Sequence, residues 1–307
     1  MAVPTRETFK KEHDDAERRL RRYALTYRGR LSIPETIIGE WGRRGAQELC
    51  SSSSRARIAF MEESYDDFLS RYRMTRGKKF YFLTLAPRMF AVPLEEAPDF
   101  DHSILQSWAE RLLSGHTYIG IVEAAFYGNF GLVPGSRTVS WHVHALLWDT
   151  NERSVQAIND AVDGAHDALL PGGHAGDMME LGVRGAASHI IYMLKGQLKE
   201  YRCGPTKKEK VDPKTGEIVN KWWQQKRPLR TGDLAKMMKV MAARTIPGLC
   251  FAGGAGRVIW QTAEAQATTR IAEENASVVE KLRPYRTALS AMSKAGIKRP
   301  SSSSPVV

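Results

Sequence analysis

Three stretches of the chain have the composition of β-strands. Residues 80–86 form a continuous apolar run that stops at Pro87, which predicts a short buried strand. Residues 118–123 and 140–150 are rich in aromatic and aliphatic side chains and contain no proline, which also favours strands. Because a glycine-containing loop joins these last two stretches directly, we expect them to pair antiparallel.

Most of the remaining apolar residues recur every three or four positions, which predicts amphipathic helices. The clearest example is 55–72, where a serine run at 51–54 could cap the first turn. The other predicted helices are 7–27, 101–113, 151–170, 186–201, 231–244 and 263–296, with further short strands at 176–181 and within 248–260. This mixture predicts an α+β fold: a central antiparallel β-sheet with flanking helices and with helical extensions at both ends.

Changes in composition predict three parts of the chain. Residues 1–75 form a helical, basic N-terminal region, residues 76–262 hold the predicted sheet, and residues 263–307 form a helical and then disordered tail. The disorder is expected from residue 298 onward, where four serines and two prolines are found among ten residues.

Residues 202–230 stand out within the central part. They contain nine lysines and arginines against three acids, a net charge of +6, and show no sustained apolar periodicity. Cations that meet phosphates and aromatic rings that stack on bases are the usual elements of a single-strand binding surface. We therefore predict a basic DNA-binding loop, with a hairpin packed on the core by its tryptophans as the alternative. The predicted contact residues are Lys207, Lys208, Lys210, Trp222, Trp223, Lys226 and Arg227.

The whole chain is also basic, with a formal net charge of +11 over 307 residues. Such a balance favours a polyanionic partner, most simply nucleic acid, with a merely basic soluble enzyme as the alternative. The three cysteines form no Cys-x-x-Cys pair, which argues against a disulfide framework and fits a reducing compartment. No apolar run approaches membrane-spanning length and the N-terminus does not resemble a signal peptide, so we expect a cytoplasmic protein without a membrane partner.

Candidate chemistry begins in the predicted strand 140–150. Residues two apart in a strand share a face, so His142 and His144 point the same way. Two neutral imidazoles side by side can hold one divalent metal ion. Glu123, at the end of the preceding strand, would lie near both. The alternatives are a chance pair of structural histidines and an ordinary charged strand end.

The predicted helix 186–201 carries a second candidate group. His189, Tyr192, Lys195 and Lys199 follow one another at offsets of three, three and four, so they share the face opposite the apolar one. A tyrosine and a lysine one turn apart on a polar face are not needed for a core. The alternative is a solvated face along which the tyrosine ring lies.

The order of these elements resembles the HUH endonuclease superfamily, which comprises rolling-circle replication initiators, relaxases and related transposases. An apolar strand comes first, His142-Val143-His144 follows, and Tyr192-x-x-Lys195 comes last, so that the resemblance covers roughly residues 78–200. It implies an HUH nuclease domain over 76–262, with a sheet like that of an RNA-recognition motif. It also implies sequence- or structure-specific nicking of single-stranded DNA, and strand transfer through a covalent 5′-phosphotyrosine.

The resemblance assigns a role to each candidate residue. Tyr192 would be the nucleophile, since a covalent intermediate keeps the phosphodiester energy, and Lys195 would act on the phosphate or the phenolate. His142 and His144 would hold Mg²⁺ or Mn²⁺, which polarises the scissile phosphate. For the third ligand we rank Glu123 first and His189 second. No second tyrosine lies three or four residues from the first, which favours a single-tyrosine enzyme.

The expected partner is single-stranded DNA, or a DNA hairpin, at an origin or element end in a bacterial or phage-infected cell. We find no helicase motifs, so strand separation would need a host helicase or another chain. Whether a plasmid, a phage or a transposon is served stays open. Two other functions also stay open: a metal-dependent hydrolase that uses His-x-His without a covalent tyrosine, and a non-catalytic DNA-binding regulator.

Overall fold

The computed structural model describes residues 3–33, 46–133, 135–206 and 222–294, together with the backbone of 210–211 and 218–219. It confirms the α+β prediction. Within these residues, nine helices flank a central sheet of eight strands, and a separate pair of two-residue strands forms a second sheet.

The elements have the following bounds. The helices are α1 (Arg6–Ala24), α2 (Tyr27–Ser32), α3 (Ser54–Tyr72), α4 (His102–Leu112), α5 (Glu152–Ala165), α6 (Val183–Met193), α7 (Thr231–Met241), α8 (Ile246–Leu249) and α9 (Gly256–Lys294). The strands are β1 (Phe80–Leu85), β2 (Ala91–Pro93), β3 (Thr117–Tyr127), β4 (Thr138–Trp148), β5 (Gly176–Leu181), β6 (Lys199–Pro205), β7 (Lys210–Val211), β8 (Ile218–Val219), β9 (Trp222–Pro228) and β10 (Cys250–Gly253).

The central sheet has the strand order β5-β1-β4-β3-β6-β9, with β2 paired to β4 and β10 paired to β3. The strands β3 and β4 pair antiparallel over their whole lengths, from Thr117 opposite Trp148 to Tyr127 opposite Thr138, as we expected. The sheet is not antiparallel throughout, because β6 joins β3 in a short parallel pairing at Phe126 and Glu200. The sheet is therefore mixed, with antiparallel pairs predominating.

One buried cluster joins the sheet to the helices on both of its faces. All eleven residues of β4 are buried, so helices must cover both sides of this strand. Phe9 of α1 and Phe60 of α3 belong to the same cluster as Phe80 and Trp148 of the sheet. The helix α3 therefore packs on the sheet, where its Phe68 ring contacts Phe80 and Trp148, and α1 packs on α3.

The predicted helix 186–201 is wrong at its C-terminal half. The helix α6 ends at Met193, and Gly196 adopts a positive φ of 64°, a conformation that glycine accepts and that stops a helix. The strand β6 begins three residues later. Lys195 and Lys199 therefore do not share a helical face with His189 and Tyr192.

The predicted basic loop 202–230 is a strand at each end, as in the hairpin alternative, but of its two tryptophans Trp222 packs on the protein and Trp223 is exposed. Residues 207–209, 212–217 and 220–221 of this stretch lie outside the described residues. The strands β6 and β9 pair antiparallel from Lys199 opposite Pro228 to Pro205 opposite Trp222. Because side chains alternate along β9, every second residue faces the protein and the others face solvent. We call the β6–β9 pair the ribbon.

Three smaller predictions differ at their ends or fall outside the described residues. Within 248–260 only β10 is a strand, since α8 precedes it and α9 begins at Gly256. The helix predicted at 151–170 ends at Ala165. The tail from 298 onward lies outside the described residues. In the part of the chain that is described, no helix combines the length and apolar character needed to cross a bilayer.

Candidate metal and tyrosine site

The pairing of β3 with β4 brings three polar side chains together. Glu123 lies directly opposite His142 in the register, and His144 follows on the same face of β4. The Oε2 atom of Glu123 is 3.0 Å from Nε2 of His144 and 3.4 Å from Nε2 of His142. The two Nε2 atoms are 3.2 Å apart. The predicted meeting of the two histidines with Glu123 is thus present.

The Nδ1 atom of each imidazole, which points away from the Glu123 carboxylate, contacts an oxygen atom of a strand residue. Nδ1 of His142 lies 3.2 Å from the backbone oxygen of Ser140, and Nδ1 of His144 lies 3.1 Å from Oγ1 of Thr84 on β1. A carbonyl oxygen can only accept, so Nδ1 of His142 carries the proton and its Nε2 presents a lone pair. Such outer contacts orient imidazole ligands in metal sites.

Burial sets the protonation of the group. Glu123, His142 and His144 are 4%, 7% and 2% exposed. Burial lowers the pKa of His144 to about 3, so that this ring is neutral at pH 7. Burial opposes ionisation of Glu123, but the Lys195 charge and a hydrogen bond from Nε2 of His144 hold its pKa well below the usual range. Neutral imidazole and ionised carboxylate are the forms that bind metal ions.

The spacing of these atoms fits a metal ion. Adjacent ligand atoms around one ion lie about 3 Å apart when the metal–ligand bonds are about 2.1 Å long, and the three separations here match. The Glu123–His142–His144 group could therefore hold a metal ion, and it is the one such group among the described residues. His189 is not part of it: its Nδ1 lies 2.8 Å from the Gly185 oxygen, and its ring packs on Phe82.

Lys195 reaches the group from the turn after α6 rather than from a helical face. Its Nζ forms an ion pair with Oε2 of Glu123 and lies 3.9 Å from the centre of the Tyr192 ring. Burial lowers the pKa of Lys195, and the Glu123 charge opposes that effect. Lys195 thus contacts both the carboxylate of the metal group and the candidate nucleophile.

Tyr192 faces the sheet instead of solvent. Its ring centre lies 5.2 Å from that of His144, and Lys226 of the ribbon donates a hydrogen bond to its hydroxyl at 3.1 Å. The Tyr201 hydroxyl also donates to this oxygen. Burial raises the pKa of Tyr192, and the negative charge of Glu123 raises it further. The Tyr192 oxygen is therefore placed beside two donors and the metal group.

Tyr201 is not at a helix end, where we predicted it. It lies on β6, and its ring stacks on Tyr127 with 5.2 Å between centres. Burial raises its pKa well above the usual value. Tyr192 and Tyr201 thus line one pocket, and their side chains are hydrogen-bonded to each other.

The predicted DNA-contacting residues divide between the two faces of the ribbon. Lys226 and Trp222 lie on the inner face, where Trp222 packs edge-on against Phe130 with 5.5 Å between ring centres. Trp223 and Arg227 lie on the outer face, and Trp223 is 44% exposed. Two further predicted residues, Lys207 and Lys208, lie outside the described residues, and for Lys210 the backbone alone is described.

A pocket of about 280 Å³ opens over the metal group. Tyr192, Lys195 and Lys226 form part of its wall, and the start of α1, with Thr5 and Thr8, forms another part. The approach of the N-terminal residues to the site could not be predicted from the sequence, because no local pattern links them to the sheet.

Two other supporting residues were missed. The strand partner of His144 is Thr84, and the turn that carries Lys195 is held by the buried Arg57 of α3. Thr84 lies in a strand that the sequence did predict, but its pairing with β4 depends on the folded sheet. Arg57 lies in the predicted helix 55–72. An arginine between Ala56 and Ile58 was a local sign of a buried polar contact that the prediction did not use.

No family model, no curated protein and no solved structure matches the chain. Inferences about function therefore depend on the chemistry of the site. A metal-binding group, a tyrosine hydroxyl and two lysines that share one pocket can support transfer of a phosphoryl group to the tyrosine.

Proposed function

We propose that this protein is a metal-dependent DNA endonuclease and strand transferase of the HUH type. It would nick one DNA strand and stay joined to it through Tyr192. The observation that carries the proposal is the contact between the Tyr192 ring and His144, because a tyrosine hydroxyl then lies close to a group that could hold a metal ion. The resemblance in motif order supports the same function.

Glu123, His142 and His144 would hold the metal, and Mg²⁺ or Mn²⁺ is the expected ion because a carboxylate with two imidazoles is compatible with either. A divalent ion bound there supplies stabilisation of the negative charge that builds on the scissile phosphate. Lys195, next to Glu123, would add a positive charge near the phosphate oxygens.

The chemical step moves a phosphoryl group between two oxygens. The Tyr192 oxygen would attack the phosphorus, and the bond from phosphorus to the 3′ oxygen would break. The DNA then carries a 5′-phosphotyrosine, and the phenol proton is balanced by the proton gained on the released 3′ hydroxyl. Lys226 donates a hydrogen bond to the Tyr192 hydroxyl, and it would stabilise the negative charge that develops on this oxygen. The free 3′ hydroxyl could prime synthesis or later attack to rejoin the strand.

The substrate we propose is single-stranded DNA, or a hairpin, at an origin or element end. The outer face of the ribbon supports this choice because it carries Trp223 and Arg227, a ring for base stacking and a cation for phosphate. A host helicase would open the duplex. The setting we propose is the cytoplasm of a bacterial or phage-infected cell, with the plasmid, phage and transposon roles still open.

A denaturing gel tests the proposal. The protein is incubated with single-stranded DNA and Mn²⁺, and a covalent band is expected for the wild type but not for Tyr192→Phe. The matched control is Tyr118→Phe, since the Tyr118 ring is also largely buried, packs against Phe251 and does not line the pocket. Mass spectrometry of the digested adduct should find the nucleotide on Tyr192.

The same gel separates the other functions. Release of nucleotides without an adduct would indicate a metal-dependent hydrolase. Bound but intact DNA would indicate a regulator. An adduct on any residue but Tyr192 would contradict the assignment of the nucleophile.

A further inference from the structure

A second basic surface lies at the end of α6 that is opposite to Tyr192. It is a groove of about 1020 Å³ between the end of α3, the turn that leads into β1, the end of β5 and the start of α6. We call it the α3–α6 groove. Its charged residues are Arg73, Arg76, Lys78, Lys79, Glu180 and Arg184. Five positive charges against one negative charge line this surface.

Two of these cations have carboxylate partners, and three have none among the described residues. Lys78 pairs with Asp149 and Lys79 pairs with Glu180. Within the described part of the chain, the exposed Arg73, Arg76 and Arg184 form no ion pair. What distinguishes this surface is that five cations and one carboxylate line a single groove, a charge balance that favours a polyanionic partner.

The start of α6 adds to the positive potential of the groove. Its N-cap is Gly182, which offers no side-chain cap, so the positive end of the helix dipole faces the same surface. This contribution is small beside the three arginines, and the dipole alone would not define a site.

The scarcity of aromatic side chains in the groove indicates which kind of polyanion it would bind. Single-stranded nucleic acid is usually held by exposed aromatic rings that stack on its bases. Among the described residues that line the groove, the one aromatic side chain is Tyr65, which is half-buried beneath Arg6. Cations without stacking rings fit the phosphate backbone of a duplex, where the bases are already paired.

We propose that the α3–α6 groove binds the backbone of duplex DNA next to the strand that Tyr192 cleaves. This inference rests on the proposed function, which supplies the DNA and the cleaved strand. The ribbon then takes the single strand, through Trp223 and Arg227, and the groove takes the paired stem.

The helix α6 sets the distance between the two. Arg184 and Tyr192 are eight residues apart, which corresponds to about 12 Å along the helix axis. A duplex rises about 3.4 Å per base pair, so the paired region should begin within about four nucleotides of the cleaved phosphate. A hairpin substrate cut close to its stem meets this requirement.

Binding to an unspecific duplex tests the groove without any knowledge of the cleavage site. The probes are a labelled duplex of about 20 base pairs and a single strand of the same length, measured by fluorescence anisotropy between about 50 and 200 mM salt. All proteins carry Tyr192→Phe, so that no adduct can form. The test variant replaces Arg73, Arg76 and Arg184 with alanine.

The matched control removes the same charge elsewhere. It replaces Arg111, Arg153 and Arg257, three exposed arginines outside the groove, with alanine. We expect the groove variant to raise the duplex Kd by about tenfold to a hundredfold and to reduce the salt slope by about 3, with a much smaller change in the control. Single-strand binding should change little.

Each other outcome overturns the proposal. If the groove variant and the control lose equal affinity for the duplex, the net charge of the protein alone accounts for duplex binding. A loss of single-strand binding with unchanged duplex binding would mean that the groove holds a strand. Covalent adduct formation is assayed separately with a protein that keeps Tyr192. This assay tests the proposed function, whereas the binding assay tests the role of the groove.

Discussion

Arg57 connects the packing of the fold to the position of Lys195. Its guanidinium is buried, donating from Nε to the Ser51 oxygen at 2.5 Å and from Nη1 to the Leu194 oxygen at 3.1 Å. Nη2 lies 3.5 Å from the side-chain oxygen of Gln197. These contacts hold the turn between α6 and β6, and Lys195 extends into the pocket from that turn.

We expect Arg57→Met to lower the free energy of unfolding by about 3 kcal/mol. The Ser51 and Leu194 oxygens lose their buried donor, at a cost of about 1–3 kcal/mol for each. Part of this loss is offset, because burial of the guanidinium is itself unfavourable and lowers the pKa of Arg57 to about 10. With a urea slope of about 3 kcal/mol per molar, the unfolding midpoint should fall by about 1 M.

The same variant should also form the covalent adduct at least about tenfold more slowly, because Lys195 loses its fixed position. The rate is measured with Mn²⁺ and single-stranded DNA, in the absence of urea, where the variant remains folded. Arg18→Met on α1 is the control, since the side chains of Arg18 and its partner Asp15 are both exposed and such pairs contribute at most about 1 kcal/mol.

Two results would refute this account of Arg57. An unchanged urea midpoint would show that the guanidinium does not hold the turn. A lowered midpoint with a wild-type rate of adduct formation would show that the turn is stabilised but that Lys195 does not depend on it.

Three further predictions concern the metal group and Lys226. Replacing His142 and His144 with alanine should abolish Mn²⁺ binding in calorimetry and Mn²⁺-dependent adduct formation, while circular dichroism stays that of a folded protein. Glu123→Ala should weaken Mn²⁺ binding at least about tenfold, and wild-type affinity would exclude Glu123 as the third ligand. Burial lowers the pKa of Lys226 to about 8, so the folded state resists its protonation. The unfolded chain then binds more protons between about pH 8 and the usual lysine pKa of about 10.4, and stability should rise with pH across that range. Urea unfolding should show this rise in the wild type and a smaller one in Lys226→Met.

The parts of the site that the sequence predicted depend on local spacing. His142 and His144 share a face because side chains alternate in any strand, and Glu123 faces them because consecutive strands joined by a loop pair antiparallel. Neither inference needs knowledge of the rest of the fold. The choice of Glu123 over His189 as the third member follows from the same register.

The parts that were missed depend on contacts between distant segments. The ribbon forms because β9 pairs with β6, and its alternating inner and outer residues were obscured by the high charge of 202–230. Lys226 was therefore predicted as a phosphate contact, although in the structure it donates a hydrogen bond to the Tyr192 hydroxyl. The end of α6 was different, because Gly196 was a visible local stop signal that the longer apolar pattern concealed.

Tyr192 was predicted as the nucleophile because of its position on a polar helix face, and the structure shows a different environment for it. The prediction placed it on the polar face of a helix, with a solvated face as the alternative, but α6 is covered on both sides, by α3 on one and by the sheet on the other. Its ring packs against Phe82 and His144, and its hydroxyl is bonded by Lys226. Polar groups on a buried helix face are costly unless they are hydrogen-bonded, so their presence there requires a structural or chemical reason. A satisfied core would need one partner for this hydroxyl, whereas here two lysines, a second tyrosine and a metal-binding group surround the ring, which favours the chemical reason.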